Sequence, residues 1–126
     1  MAVVGVGIDA VEIDRVRLAL QRTPRLIDRL FTDREQRHCV ATVGRRRAAR
    51  FAVRFAAKEA VAKALGTGVV GFGFRDVEIL NGANGEPTVV LDDRARRVAA
   101  HVGVHTVHVS LSVTRDTAVA TAIAEA

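Results

Sequence analysis

The chain has 126 residues, 49% of them hydrophobic, enough to bury one core but not two, so a single domain spanning 1–126 is expected. High apolar content with only two prolines excludes a disordered chain, and no stretch approaches the eighteen apolar residues of a membrane helix. A formal net charge of +5 points to an anionic partner.

Val4, Val6 and Ile8 alternate with Gly5, Gly7 and Asp9, which predicts a strand ending on a carboxylate. From Asp9 the period becomes helical: Ile13, Val16 and Leu20 share a face until Pro24 stops the helix near Thr23. A short helical piece follows through Leu30. Thr32 and Glu35 form a capping box, so the next helix starts at Asp33. Gly44 and Arg45-Arg46-Arg47 separate it from a long helix with an apolar stripe of Phe51, Phe55, Ala62 and Leu65, stopped by Gly66. Val77 and Ile79 then lie in a strand, Asn81-Gly82 and Asn84-Gly85 supply hairpin-turn chemistry, and Pro87 to Leu91 form the returning strand. Asp92 or Asp93 caps a helix whose inner face is Ala95, Val98, Ala99 and Val102, ended by Gly103. In the strand after it, Val107, Val109, Leu111 and Val113 share one face and His108, Ser110, Ser112 and Thr114 the other. An Ala/Val/Thr/Ile strand following Arg115-Asp116 closes the chain. Strands paired as hairpins make the fold class α+β.

Two stretches match the dinucleotide fingerprint: Gly5-Val6-Gly7-Ile8-Asp9-Ala10 and Gly66-Thr67-Gly68-Val69-Val70-Gly71. The first leads into helices instead of a second parallel strand, and the second follows a helix, so neither has the context that such a loop needs. His101, His105 and His108 lack a cysteine or nearby carboxylate to complete a zinc site. Cys39 reads as a half-buried thiol. As the only cysteine it rules out an internal disulfide, and the start at Met1-Ala2-Val3-Val4-Gly5 lacks the basic segment of a secretion signal, so a cytoplasmic protein is expected.

Seventeen of the nineteen basic residues are arginine; the two lysines, Lys58 and Lys63, fall within six residues of one another on the long helix. Glu59, Lys63 and Gly66 lie at i, i+4 and i+7, putting an acid and an amine on one face that leads to a glycine turn. The plain reading of Glu59 and Lys63 is a surface ion pair. The alternative is phosphate handling or proton transfer, for which a compact ammonium suits better than a guanidinium. All five aromatic residues are phenylalanine, few for a protein that stacks bases. A small basic nucleic-acid-binding domain, supported by Arg45-Arg46-Arg47, therefore stands as the alternative reading.

Gly5-Val6-Gly7-Ile8-Asp9 with Val11-Glu12-Ile13, Phe31-Thr32 with Glu35, and Arg54-Phe55-Ala56-Ala57-Lys58-Glu59-Ala60 through Lys63-Ala64 to Gly66-Thr67-Gly68 closely resemble the holo-acyl-carrier-protein synthases, the short bacterial 4′-phosphopantetheinyl transferases. Phe74-Arg75-Asp76-Val77-Glu78-Ile79, Asn84-Gly85-Glu86-Pro87 and His108-Val109-Ser110-Leu111-Ser112 follow in that family's order, so the likeness covers nearly the whole chain. It implies a homotrimer in which a mainly antiparallel sheet packs on the long helix, with further N-terminal helices. The implied reaction moves 4′-phosphopantetheine from coenzyme A to a serine of apo acyl carrier protein, releasing adenosine 3′,5′-bisphosphate, in fatty-acid or related biosynthesis.

By the same resemblance Asp9 and Glu59 match the family's two magnesium carboxylates, and hard oxygen ligands suit Mg²⁺. Lys63 would reach the phosphates or assist the leaving group, Lys58 and Arg54 would neutralise further phosphate charge, and Gly66 would border the cofactor. His108 matches a histidine near the bound nucleotide; with sites between subunits, it would serve a neighbour's Asp9 and Glu59. The proton acceptor is left open among a metal-bound water, Glu59 and Lys63. Arg15, Arg22, Arg25 and Arg29 occupy the region where the family docks its acidic carrier protein. No membrane or nucleic acid is implied. The chain departs from the family at Val53, where a small residue is common, and at Val113, where a second histidine is common.

Overall fold

The computed structural model describes residues 2–126. Strand β1 (Val3–Glu12) is followed by helices α1 (Ile13–Arg22), α2 (Arg25–Leu30), α3 (Asp33–Val40) and α4 (Gly44–Ala64). A 3₁₀ turn at Phe74–Asp76 leads into β2 (Val77–Asn81) and β3 (Pro87–Leu91), then α5 (Asp93–His101), β4 (Thr106–Val113) and β5 (Thr117–Glu125). The strands form one antiparallel sheet in the order β1-β5-β4 and a separate β2-β3 hairpin, so the predicted α+β class holds.

Two boundaries differ from the sequence reading. β1 continues past Asp9 to Glu12, because β5 supplies backbone partners as far as the Glu12–Thr117 pair. Arg45, Arg46 and Arg47 belong to the first turns of α4, which starts at Gly44 with a positive φ of 61°. The predicted stop after α4 is present, with Gly66 at φ 78°.

Small residues let α4 lie unusually close to the sheet. The inner face of β5 is Ala118, Ala120, Ala122 and Ala124, all fully buried, and α4 offers Ala56, Ala57, Ala60 and Ala64. On β1 the inward positions are Gly5 and Gly7. A Cβ on Gly5 would stand 1.9 Å from the Ala64 carbonyl oxygen, and one on Gly7 would stand 2.0 Å from that of Ala60. The glycines that mimic a dinucleotide fingerprint are thus packing residues. The strand phase they set turns Asp9 and Val11 toward α4 and leaves Val4, Val6 and Ile8 outside.

α4 is buried on nearly every side, because α1 and α3 cover its far face. A polar cluster ties these layers together. Thr32 and Glu35 form the predicted capping box, Glu35 and Lys58 make a fully buried ion pair at 2.7 Å, and Glu78 accepts from the Thr32 hydroxyl and the Arg34 guanidinium. Burial alone would raise the Glu78 carboxyl, but the Thr32 and Arg34 donors outweigh it and hold the group below its ordinary value. Its contribution to stability is therefore present above the ordinary glutamate value and lost as pH falls through the lower folded value. Glu78→Gln is expected to cost about 1–2 kcal/mol at pH 7 and progressively less at an acid pH well below the ordinary glutamate value. Urea unfolding at both pH values checks this; an equal loss at each would show that charge plays no part.

Candidate active site

Asp9 and α4 meet where β1 runs beneath the C-terminal half of the helix. The Lys63 ammonium donates to the Ile8 carbonyl at 2.9 Å and to the Asp9 carboxylate at 3.2 Å. Lys63 thus pairs with the strand acid, not with Glu59 one turn earlier as a plain surface pair would. Asp9 is 19% exposed and Lys63 52%, so the cluster opens to solvent on the lysine side. The Glu59 carboxyl lies above its ordinary value, first through burial and then through the negative charge of Asp9, with Lys63 pulling the other way. Two carboxylates in electrostatic reach beside one ammonium form a shelf for a polyanion bridged by a cation.

The shelf has the donor chemistry of a magnesium site. Among the described residues no group of three or more His, Cys, Asp and Glu side chains converges as a closed metal site would require. Mg²⁺ does not need one, because it keeps several waters and binds through one or two carboxylates plus substrate phosphates. Asp9 and Glu59 fit that pattern. Gly66 follows the helix with its N–H donating to the Lys63 carbonyl at 2.9 Å, and its exposed turn leaves the backbone open beside the lysine.

Two sequence expectations are corrected by burial. Lys58 is completely buried, and its ammonium donates to Glu35, to the Phe74 carbonyl and to the Val77 carbonyl at 2.7–2.8 Å, leaving no proton for a phosphate. Arg54 is 3% exposed, with its terminal nitrogens donating to Asn81 and to the Arg50 carbonyl. Its Nε is the only buried side-chain polar atom without a partner among the described residues. Both cations tie α4 to the β2 side of the fold, away from the open shelf.

His108 stands apart as well. It projects from the outer face of β4, paired across the sheet with Ile123 and bonded to Glu125, whereas Asp9 points inward from β1. Within one chain the sheet separates it from the shelf. Around it on the same outer face, Val4, Val6, Ile8 and Ile123 are exposed, an apolar strip that a monomer would leave wet. Arg15, Arg22, Arg25 and Arg29 are all exposed on α1 and α2.

Between those helices and the shelf lies a cavity of about 590 Å³ that the sequence reading missed. Ala10 and Val11 border it beside Asp9, Leu26 and Leu30 come from α2, and Phe55 stands one turn before Glu59. Arg15 lies on its lining, and Phe74 stacks on Phe55 with centroids 5.6 Å apart and planes at 20°. Phe55 is visible in the sequence as part of the apolar stripe of α4; what no local pattern shows is that α1 and α2, packed beside α4, leave a space open against Phe55 and Phe74.

The 4′-phosphopantetheinyl transferase superfamily profile matches residues 5–123. The chain is 52% identical over 125 residues to the holo-[acyl-carrier-protein] synthase of Desulforudis audaxviator, covering 97% of this chain and 92% of that protein. It is 44% identical over 123 residues to the synthase of Clostridium novyi, covering 98% and 88%. Among solved structures, the synthase of Neisseria meningitidis superposes with a TM-score of 0.90 at 30% identity, over 99% of this chain and 100% of the other. The synthase of Bacillus anthracis, crystallised in complex with CoA (3′,5′-ADP), superposes with a TM-score of 0.84 at 33% identity, over 98% and 97%.

Proposed function

Because the chain belongs to the holo-acyl-carrier-protein synthases of the 4′-phosphopantetheinyl transferase superfamily, we propose that Asp9, Glu59 and Lys63 form the centre at which it works. The enzyme transfers 4′-phosphopantetheine from coenzyme A to a serine of apo acyl carrier protein and releases adenosine 3′,5′-bisphosphate. The observation that carries the assignment is the convergence of two carboxylates and one ammonium where β1 crosses α4.

In this reading Asp9 and Glu59 hold Mg²⁺, which when bound neutralises charge on the pyrophosphate of coenzyme A. The Lys63 ammonium, free to swing because half its surface is exposed, follows the phosphates and stabilises charge on the leaving oxygen. The Ile8 carbonyl holds that ammonium on the shelf side of β1 beforehand. Gly66 gives the nucleotide close backbone approach at the end of α4. The exposed arginines Arg15, Arg22, Arg25 and Arg29 receive the acidic carrier protein, and the apolar cavity between them and Glu59 takes its apolar contact surface.

The opposed placement of His108 and Asp9 supports a site shared between subunits, and the apolar strip of Val4, Val6, Ile8 and Ile123 supports burial of the outer sheet face in a homotrimer. We read residues 1–126 as one transferase domain, and its lone, buried Cys39 accords with the reducing cytoplasm.

Mixing experiments test the shared site. Glu59→Gln and His108→Ala proteins, each deficient alone, are expected to regain activity when unfolded and refolded together, because mixed trimers contain some intact interfaces. Mixtures no more active than the sum of their parts would place the whole site in one chain. Arg22→Glu tests the docking face: KM for the carrier protein is expected to rise about tenfold or more, with KM for coenzyme A unchanged. Equal rises in both would contradict it.

A further inference from the structure

We propose that the buried Glu35–Lys58 pair is a positioning unit that sets the aromatic walls of the cavity for the carrier protein; this rests on the reading that the cavity receives that partner. The Lys58 ammonium grips three separate elements. It donates to Glu35 on α3, to the backbone carbonyl of Phe74 in the 3₁₀ turn, and to that of Val77 at the start of β2. It also lies 5.5 Å from the centroid of the Phe31 ring. Phe31 and Phe74 are two of the three aromatic residues lining the cavity, and the third, Phe55, is stacked on Phe74. Glu35 completes the unit by accepting from the backbone N–H groups of Thr32 and Ile79.

The chemistry at this point is specific. Only a tetrahedral ammonium on a thin stem can serve three acceptors arriving from three directions in a space closed to water. An apolar residue at position 58 would leave the Phe74 and Val77 carbonyls unanswered. A buried ion pair is a poor source of stability, since its desolvation offsets its attraction, so its presence here is better explained by the geometry it enforces. That geometry is the placement of Phe31 and Phe74 relative to α4, which carries Phe55 and Glu59.

The test compares the parent enzyme with the double variant Glu35→Gln/Lys58→Met, which removes both charges together and so avoids leaving one ion buried alone. Circular dichroism is expected to show a folded protein. Steady-state assays are expected to give a KM for the carrier protein raised about tenfold, with kcat and the KM for coenzyme A within about twofold of the parent. A folded double variant with parental KM, or one that loses kcat at unchanged KM, would overturn the positioning role. Leu26→Ala, which trims a cavity wall directly, separates the two layers of inference. If it raises the carrier KM and the double variant does not, only the positioning role fails; if neither does, the cavity's assignment fails and the proposal with it. Should the double variant not fold, the milder Glu35→Gln decides: a carrier KM raised about threefold with kcat unchanged supports the unit, and an unchanged KM overturns it.

Discussion

Glu59→Gln should lower kcat by about two to three orders of magnitude while leaving the protein folded and its thermal midpoint near that of the parent. The substitution keeps the shape of the side chain and removes its charge. Glu59 is partly buried, with Asp9 as a like-charged neighbour, so losing its charge relieves repulsion in the folded chain while halving the anionic donor set of the shelf. Its effect should therefore appear in metal affinity as well as rate. Titration with Mn²⁺, followed by electron paramagnetic resonance, should show binding to the parent weakened at least tenfold in the variant. A fully active variant would remove Glu59 from the centre.

Gly7→Ala should be among the most damaging single substitutions in the chain, costing about 3 kcal/mol or more and lowering the thermal midpoint by roughly 10 °C or more. The added methyl would lie 2.0 Å from the Ala60 carbonyl oxygen and 2.8 Å from the Ala64 nitrogen, both backbone atoms of α4 that cannot rotate away. Either β1 or α4 must move, and the two elements carry Asp9 and Glu59 respectively. Stability and activity are thus expected to fall together. Gly103→Ala, at the end of α5 with φ 79° and open space around its missing side chain, should cost less, about 1 kcal/mol of backbone strain. Calorimetry on both proteins checks the ranking; a mild Gly7→Ala would show that the close helix–strand approach is not a constraint.

Much of this was legible in the residues. Alternation set the strands, and Thr32 with Glu35 placed the start of α3 because a capping box is local chemistry. The spacing on α4 shows that Glu59 and Lys63 share one face, since a helix has a fixed pitch, but it leaves a plain surface pair open; only the family resemblance joins Asp9 to them. The limits were equally physical. The length of β1 was underestimated because its last residues are held by β5, more than a hundred positions away. The phosphate role expected of Lys58 and Arg54 rests on the family resemblance, and nothing local in the sequence shows that either cation is buried. Which side of α4 is covered by α3 and β2 is a tertiary fact, and Glu35, the partner that makes burial of Lys58 tolerable, lies 23 residues earlier. Excess arginine also leaves a nucleic-acid-binding domain open as an alternative, which family membership displaces in favour of acyl carrier protein and coenzyme A.

The most direct test of the proposed magnesium-dependent centre is the intact mass of an apo acyl carrier protein incubated with coenzyme A and the enzyme, with Mg²⁺ or with a chelator. The parent enzyme should add one phosphopantetheine to the carrier in Mg²⁺ and none in chelator, and Asp9→Asn should add almost none in either. Equal modification with and without Mg²⁺, or full modification by Asp9→Asn, would contradict the centre described above.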